Sequence, residues 1–204
     1  MMRLRLLPSY TFFLIGCLSL FVGCQRPPKE TADALRPYNA STIKELSQLS
    51  YFRVSGKVGF RQGDTGGQAK FIWQQTGRDF TLQLMNPFGG EEARLSFTKG
   101  QYSLKLPNKP SQHSDSIESL FKESLGWSAP IAHLSYWMRG IPLPNVPHKI
   151  RYNAESARVL SQDHWTITYS AFERIDGLPL PQTMVLERQD KAARLRMILH
   201  WSLE

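Results

Sequence analysis

Cysteine is almost missing from this chain, with two in 204 residues. Two thiols cannot build a disulfide scaffold, and they are too few for a cysteine-based zinc site. No Gly-rich Lys loop and no GxGxxG occurs, so nothing is shaped to spend a nucleotide. The five histidines (His113, His133, His148, His164 and His200) show no HExxH or metal-like spacing, so no metal or cofactor is expected. His113-Ser114-Asp115 is a polar stretch before a helix, and adjacency in sequence says nothing of triad geometry, so no catalysis is expected either. Acidic residues are scarce, 17 against 25 Lys and Arg, for a formal charge of +8. What is present is ordinary: 41% hydrophobic and 21% charged residues, enough for one sizeable core and too apolar for disorder.

The N-terminus reads as an address. Arg3 and Arg5 precede an apolar run, Phe12 to Val22, shorter than the roughly 20 residues that span a bilayer. The run ends at Phe21-Val22-Gly23-Cys24, before the polar, Pro-rich Gln25 to Glu30. Small residues just before a cysteine resemble a bacterial lipobox, which implies residues 1–23 as a signal peptide and Cys24 as the lipid attachment. Leu14-Ile15-Gly16-Cys17 is a rival match, but cleavage there would leave Leu18 to Val22 as an exposed apolar tail. Residues 24–40 then read as the acylated cysteine and a flexible tether, and 41–204 as a single domain.

That domain alternates with period two. Phe52, Val54, Val58 and Phe60 share a face; Ala69, Phe71 and Trp73 follow, then Phe80, Leu82 and Leu84, then Ala93, Leu95 and Phe97, and Tyr102, Leu104 and Leu106. Later runs stand at Ile150/Tyr152, Trp165/Ile167/Tyr169, Met184/Leu186 and Leu195 to Leu203. Three stretches are helical. Thr42–Glu45 has capping-box spacing before Leu46 and Leu49, Asp115 is the expected cap for Ile117 to Leu125, and Pro130 opens a helix carrying Leu134, Trp137 and Met138. The expectation is a mainly β fold: a strongly curved antiparallel sheet of about ten to eleven strands, a half-open barrel with short helices over its concave face.

Four of the five tryptophans sit on the apolar phase of their element, and Trp127 lies just past a helix end. They fit a packed core and an apolar cavity equally well. Asn86-Pro87-Phe88-Gly89-Gly90 has turn chemistry throughout, which puts Phe88 at a hairpin tip. There it either folds back over the sheet edge or stands out as an apolar spike for a membrane or a partner's groove.

Phe71 to Gly77, Leu82 to Gly89, Trp137 to Pro142 and the closing strand Arg194 to Glu204 together resemble the LolB family of outer-membrane lipoprotein receptors. The resemblance implies no catalysis, a location on the periplasmic face of the outer membrane, and an apolar cavity for acyl chains. The residues expected to line that cavity are Trp73, Phe80, Leu82, Leu84, Trp127, Trp137, Trp165 and Trp201. It also implies a membrane-insertion loop at Pro87, Phe88 and Gly89, with Phe in place of a more usual Leu. Expected partners are the periplasmic carrier LolA, acylated lipoprotein clients and outer-membrane phospholipid, with the chain a monomer. Lys and Arg mostly alternate with apolar residues, as on a solvated outer face; attraction to anionic headgroups or to an acidic carrier is the other reading. The charge is too dispersed for a nucleic-acid stripe. A tethered scaffold with a solid core and no acyl ligand is the alternative function.

Overall fold

Register turns the alternation into a wall. The structure, a computed structural model, describes residues 38–127, 129–153 and 157–203. The leader, Cys17, Cys24 and most of the tether lie outside the described residues. Eleven strands form one antiparallel sheet: β1 (Tyr51–Gln62), β2 (Thr65–Thr76), β3 (Asp79–Met85), β4 (Glu91–Thr98), β5 (Gln101–Lys105), β6 (Gln112–Ser114), β7 (His148–Tyr152), β8 (Arg158–Gln162), β9 (Trp165–Ile175), β10 (Leu178–Arg188) and β11 (Ala193–Leu203). The order is β6-β5-β4-β3-β2-β1-β11-β10-β9-β8-β7, a meander joined through β1 and β11, with β6 and β7 as edges. The sheet is open and curved, as the length of the alternating pattern predicts.

Pairing lines up the apolar residues across strands. Trp201, Val54, Trp73, Leu82, Leu95 and Leu104 are successive partners over six strands. A one-residue slip anywhere along this row would turn the whole set to water, so the apolar face pins the register. Gly56 lies on the same inward face; a side chain there would run into the Ile198 carbonyl and the Phe71 ring. Its bareness leaves room for the close approach of β11.

Three helices complete the body: α1 (Ala40–Gln48), α2 (Ile117–Leu125) and α3 (Ile131–Met138). Their starts differ from expectation. Asn39 caps α1, its Oδ1 accepting from the Thr42 amide at 2.9 Å, so the Thr42–Glu45 spacing is not the cap. Ser116, not Asp115, holds the N-cap of α2, where the backbone is extended. Pro130 caps α3 and is not in its first turn. Gly140, just past α3, has φ +74°, a left-handed value that glycine reaches without strain. Tyr38 already belongs to the fold, donating to the carbonyls of Pro179 (2.9 Å) and Arg139 (3.3 Å).

Three strands escape the alternation rule: β7, whose apolar Ile150 and Tyr152 stand exposed with the rest of the strand, and two others. β6 is polar and short, held to β5 by its ladder. β8 is buried on both faces, with Arg158 and Gln162 among its covered residues, so no polar phase marks it. Among the described residues the main core is built from β1–β5, β8–β11, α2, α3 and the segment between the two helices.

Candidate functional site

Where helices α2 and α3 face the middle of the concave wall, the side chains that meet are apolar. Between them remains a cavity of about 20 Å³, lined among others by Phe71, Trp73, Leu82, Leu84, Phe121 and Trp127. That is room for roughly one water, against roughly 300–1,000 Å³ for small-molecule pockets. The ready-made hollow implied by the resemblance is therefore shut in this structure: the wall's own rings and the helices' apolar faces fill it.

The eight residues expected around it do not all meet. Trp73, Leu82, Leu84 and Trp127 line the void. Phe80 stands one ring further out, stacked on Trp73 with centroids 4.2 Å apart. Trp137 and Trp165 lie towards β8 and β9, 6.3 Å apart. Trp201 packs on Phe52 and on the smaller cluster around Leu46 and Leu180. Emphasis on tryptophan passed over Phe121, Leu134, Met138, Leu195 and Met197, which also line the void. Their signal was available in the apolar phase of α2, α3 and β11.

From the void an aromatic ladder leads outward. Trp73 stacks on Phe80, Phe80 lies 6.1 Å from Phe97, and Phe97 lies 4.6 Å from Tyr102. Phe80, Phe97 and Tyr102 border an open groove of about 820 Å³ between β2–β5 and the ends of α1 and α3. Ring faces offer adaptable apolar contact, so this ladder joins outside to inside without a polar step.

On the other side α3 is fastened by hydrogen bonds. Trp137 Nε1 donates to Gln162 Oε1 at 3.1 Å, and Tyr169 Oη donates to the Trp137 carbonyl at 2.9 Å. Gln162 also receives from the Leu143 amide and donates to the Leu143 and Val146 carbonyls. Arg158 Nη1 donates to the Gly140 carbonyl at 2.6 Å, its guanidinium 4.1 Å from the Tyr38 ring centre. Arg139 Nη1 donates to the carbonyls of Leu46 (2.7 Å) and Leu49 (2.9 Å), tying α3 to the end of α1. Burial lowers the Arg139 guanidinium to about 10, and it pushes the Tyr169 hydroxyl far above its ordinary value despite Arg158 nearby.

The loop between β3 and β4 is a second special place. Phe88 is 98% exposed. It does not fold back, because the loop is braced from within. Asn86 Oδ1 accepts from the Phe88 and Gly90 amides, both at 3.0 Å, and the Gly89 amide donates to the Asn86 carbonyl at 2.9 Å. Leaving a phenyl ring in water forgoes roughly 1.5–3 kcal/mol of burial. Asn86 is the supporting residue that the motif reading did not single out.

Among the described residues no three His, Cys, Asp or Glu side chains gather as metal ligands, and no helix is long and apolar enough to cross a membrane. A family model, "Outer membrane lipoprotein LolB", matches residues 50–201. The chain belongs to the LolB family. The outer-membrane lipoprotein LolB of Pseudomonas aeruginosa PAO1 is 33% identical over 195 residues, covering 93% of this chain and 92% of its own length. The LolB of a Marinomonas strain is 28% identical over 198 residues, covering 96% and 95%. A solved DUF1329-family protein from Desulfovibrio piger shares the fold, with a TM-score of 0.55 at 11% identity, over 88% of this chain and 94% of its own. As a LolB-family member the chain is a lipid-anchored outer-membrane lipoprotein that serves lipoprotein localisation.

Proposed function

We propose that this LolB-family chain accepts the acyl chains of lipoproteins from the periplasmic carrier LolA and inserts them into the outer membrane. The single observation that carries the reading is the pairing of an apolar, helix-lidded interior with a fully exposed Phe88 on a braced loop. In water a long acyl chain exposes enough CH₂ groups, at about 0.8 kcal/mol each, to cost on the order of ten kcal/mol. Transfer must pass from one covered state to the next. The closed interior is the resting form. An entering chain meets Tyr102, Phe97 and Phe80, displaces Trp73, and takes the room that opens as a helix lifts. No nucleotide drives the sequence, so direction follows from affinity, where about 1.4 kcal/mol per step gives tenfold bias. Cys24 carries the anchor, residues 25 to about 37 are the tether, and Phe88 meets the bilayer at release.

The void of about 20 Å³ favours a second reading, a tethered scaffold with a solid core. Uptake of a fluorescent acyl probe separates the two: the receptor takes it up, displaceably by detergent, and the scaffold does not. A soluble form beginning at Gln25, which keeps every element described, should strip a lipoprotein from its carrier. Phe88→Glu should leave folding within about 0.5 kcal/mol and keep acyl uptake, yet block release into liposomes. Release at the wild-type rate would refute the loop's role.

A further inference from the structure

The convex face of the three central strands carries charge of one sign. β2, β1 and β11 contain Arg53, Lys57, Arg61, Lys70, Arg194 and Arg196, and no Asp or Glu. Register concentrates part of this set. Ile198 pairs with Lys57, Lys57 with Lys70, and Lys70 with Met85, the last residue before the Phe88 loop. Two lysines directly opposite each other repel and destabilise an antiparallel pair. Neither of them, nor Arg196 in the neighbouring row, makes an ion pair among the described residues, whereas Arg194 is answered by Glu187 and Arg94 by Glu91. Gly59 stands between Arg196 and Gln68 without a side chain and leaves a groove of about 530 Å³, bordered by Lys57, Lys70, Pro87, Arg196 and Ile198.

We infer that this groove is a docking face for anionic phospholipid headgroups of the membrane, and that it orients the body so that Phe88 enters the same bilayer. Unanswered cations facing outward, next to an exposed aromatic and flanked by Ile198 and Met85, match a surface whose outer layer is anionic and whose interior is apolar. The groove borders Pro87, so headgroups held by Lys57 and Lys70 sit beside the loop tip. Repulsion between the lysines is relieved when a phosphate lies between them. The inference rests on the proposal that the Phe88 loop meets the membrane, and its test is chosen to fail separately.

The soluble form beginning at Gln25 is mixed with vesicles of phosphatidylcholine alone or with a third phosphatidylglycerol, and binding is read by co-sedimentation. The wild type should bind the anionic vesicles at least tenfold more tightly, with the difference lost at high salt. Lys57→Gln with Lys70→Gln should weaken anionic binding roughly twentyfold, while Lys149→Gln with Arg151→Gln on edge strand β7, the same charge change elsewhere, should alter it less than twofold. Phe88→Ser should keep the preference for anionic vesicles. A Phe88 variant that releases lipoprotein normally would defeat the loop proposal, with the charge dependence still measured independently. Wild-type binding by the Lys57/Lys70 variant would overturn the docking face. So would a variant that binds vesicles normally but no longer accepts lipoprotein from the carrier, which would assign the groove to a protein.

Discussion

Helices α2 and α3 cover the same wall and are held to it by different forces. α3 is bound by buried hydrogen bonds: Trp137 to Gln162, Tyr169 to the Trp137 carbonyl, Arg139 to the end of α1. α2 buries Ile117, Leu120 and Phe121, and its polar ties are slight: Ser124 to Gln112 at 3.3 Å, and the Ala132 amide to Glu118 at 3.4 Å. Apolar packing is non-directional and can be exchanged for an acyl chain at little cost. A buried hydrogen bond broken without replacement leaves its partners unsatisfied, at about 1–3 kcal/mol each. For the proposed uptake, this difference predicts α2 as the lid that lifts and α3 as the fixed rim.

The largest effect should fall on the rim. Gln162→Leu strands Trp137 Nε1 and the loop groups of Leu143 and Val146, and should cost about 4 kcal/mol in denaturant unfolding. A loss under about 1 kcal/mol would dissolve the distinction between the helices. Phe121→Ala should cost about 3 kcal/mol while speeding acyl-probe uptake, because it empties the lid side of the void. Slower uptake would make α3 the moving part.

Alkaline pH probes the rim without mutation. Tyr38 and Tyr169 keep their protons in the folded chain well above 10, because burial penalises the phenolate. Unfolded, they ionise near 10, so their contribution is full below that pH and falls as pH rises past it. Arg139, lowered to about 10 from an ordinary 12.5, works in the opposite sense over that window, because the folded chain then binds fewer protons. Two groups against one predict a net loss of about 1 kcal/mol per pH unit above 10, read from melts at pH 9 and pH 11. The smallest effect belongs to the lid: Glu118→Gln should change stability by less than about 0.5 kcal/mol, and α2 amides should exchange with solvent faster than those of α3.

Much of this was legible beforehand, for reasons that particular residues make plain. Period-two alternation from Phe52 to Leu106 can serve only a sheet with one covered face, and Phe88 between Pro87 and Gly89 had to stand at a turn. β8 was illegible because Arg158 and Gln162 are polar in composition and buried in place, Gln162 bonded to Leu143 and Val146 and Arg158 through one nitrogen to Gly140, all far along the chain. The site was half legible. Trp73 and Trp127 share the void, but Trp165 and Trp201 have the right phase and the wrong location, since phase tells which face a side chain takes and not which part of a curved wall.

The sequence by itself determined the wall: hydrophobic period sets the face, turn residues set the hairpins, and the two together leave one register. Only the tertiary structure decided that the interior is closed, that Arg139 ties α3 to the end of α1, and that Trp201 packs away from the void. Each of these depends on distances between residues that the chain's order does not make neighbours, and those distances follow from how eleven twisted strands curve and where three short helices come to rest.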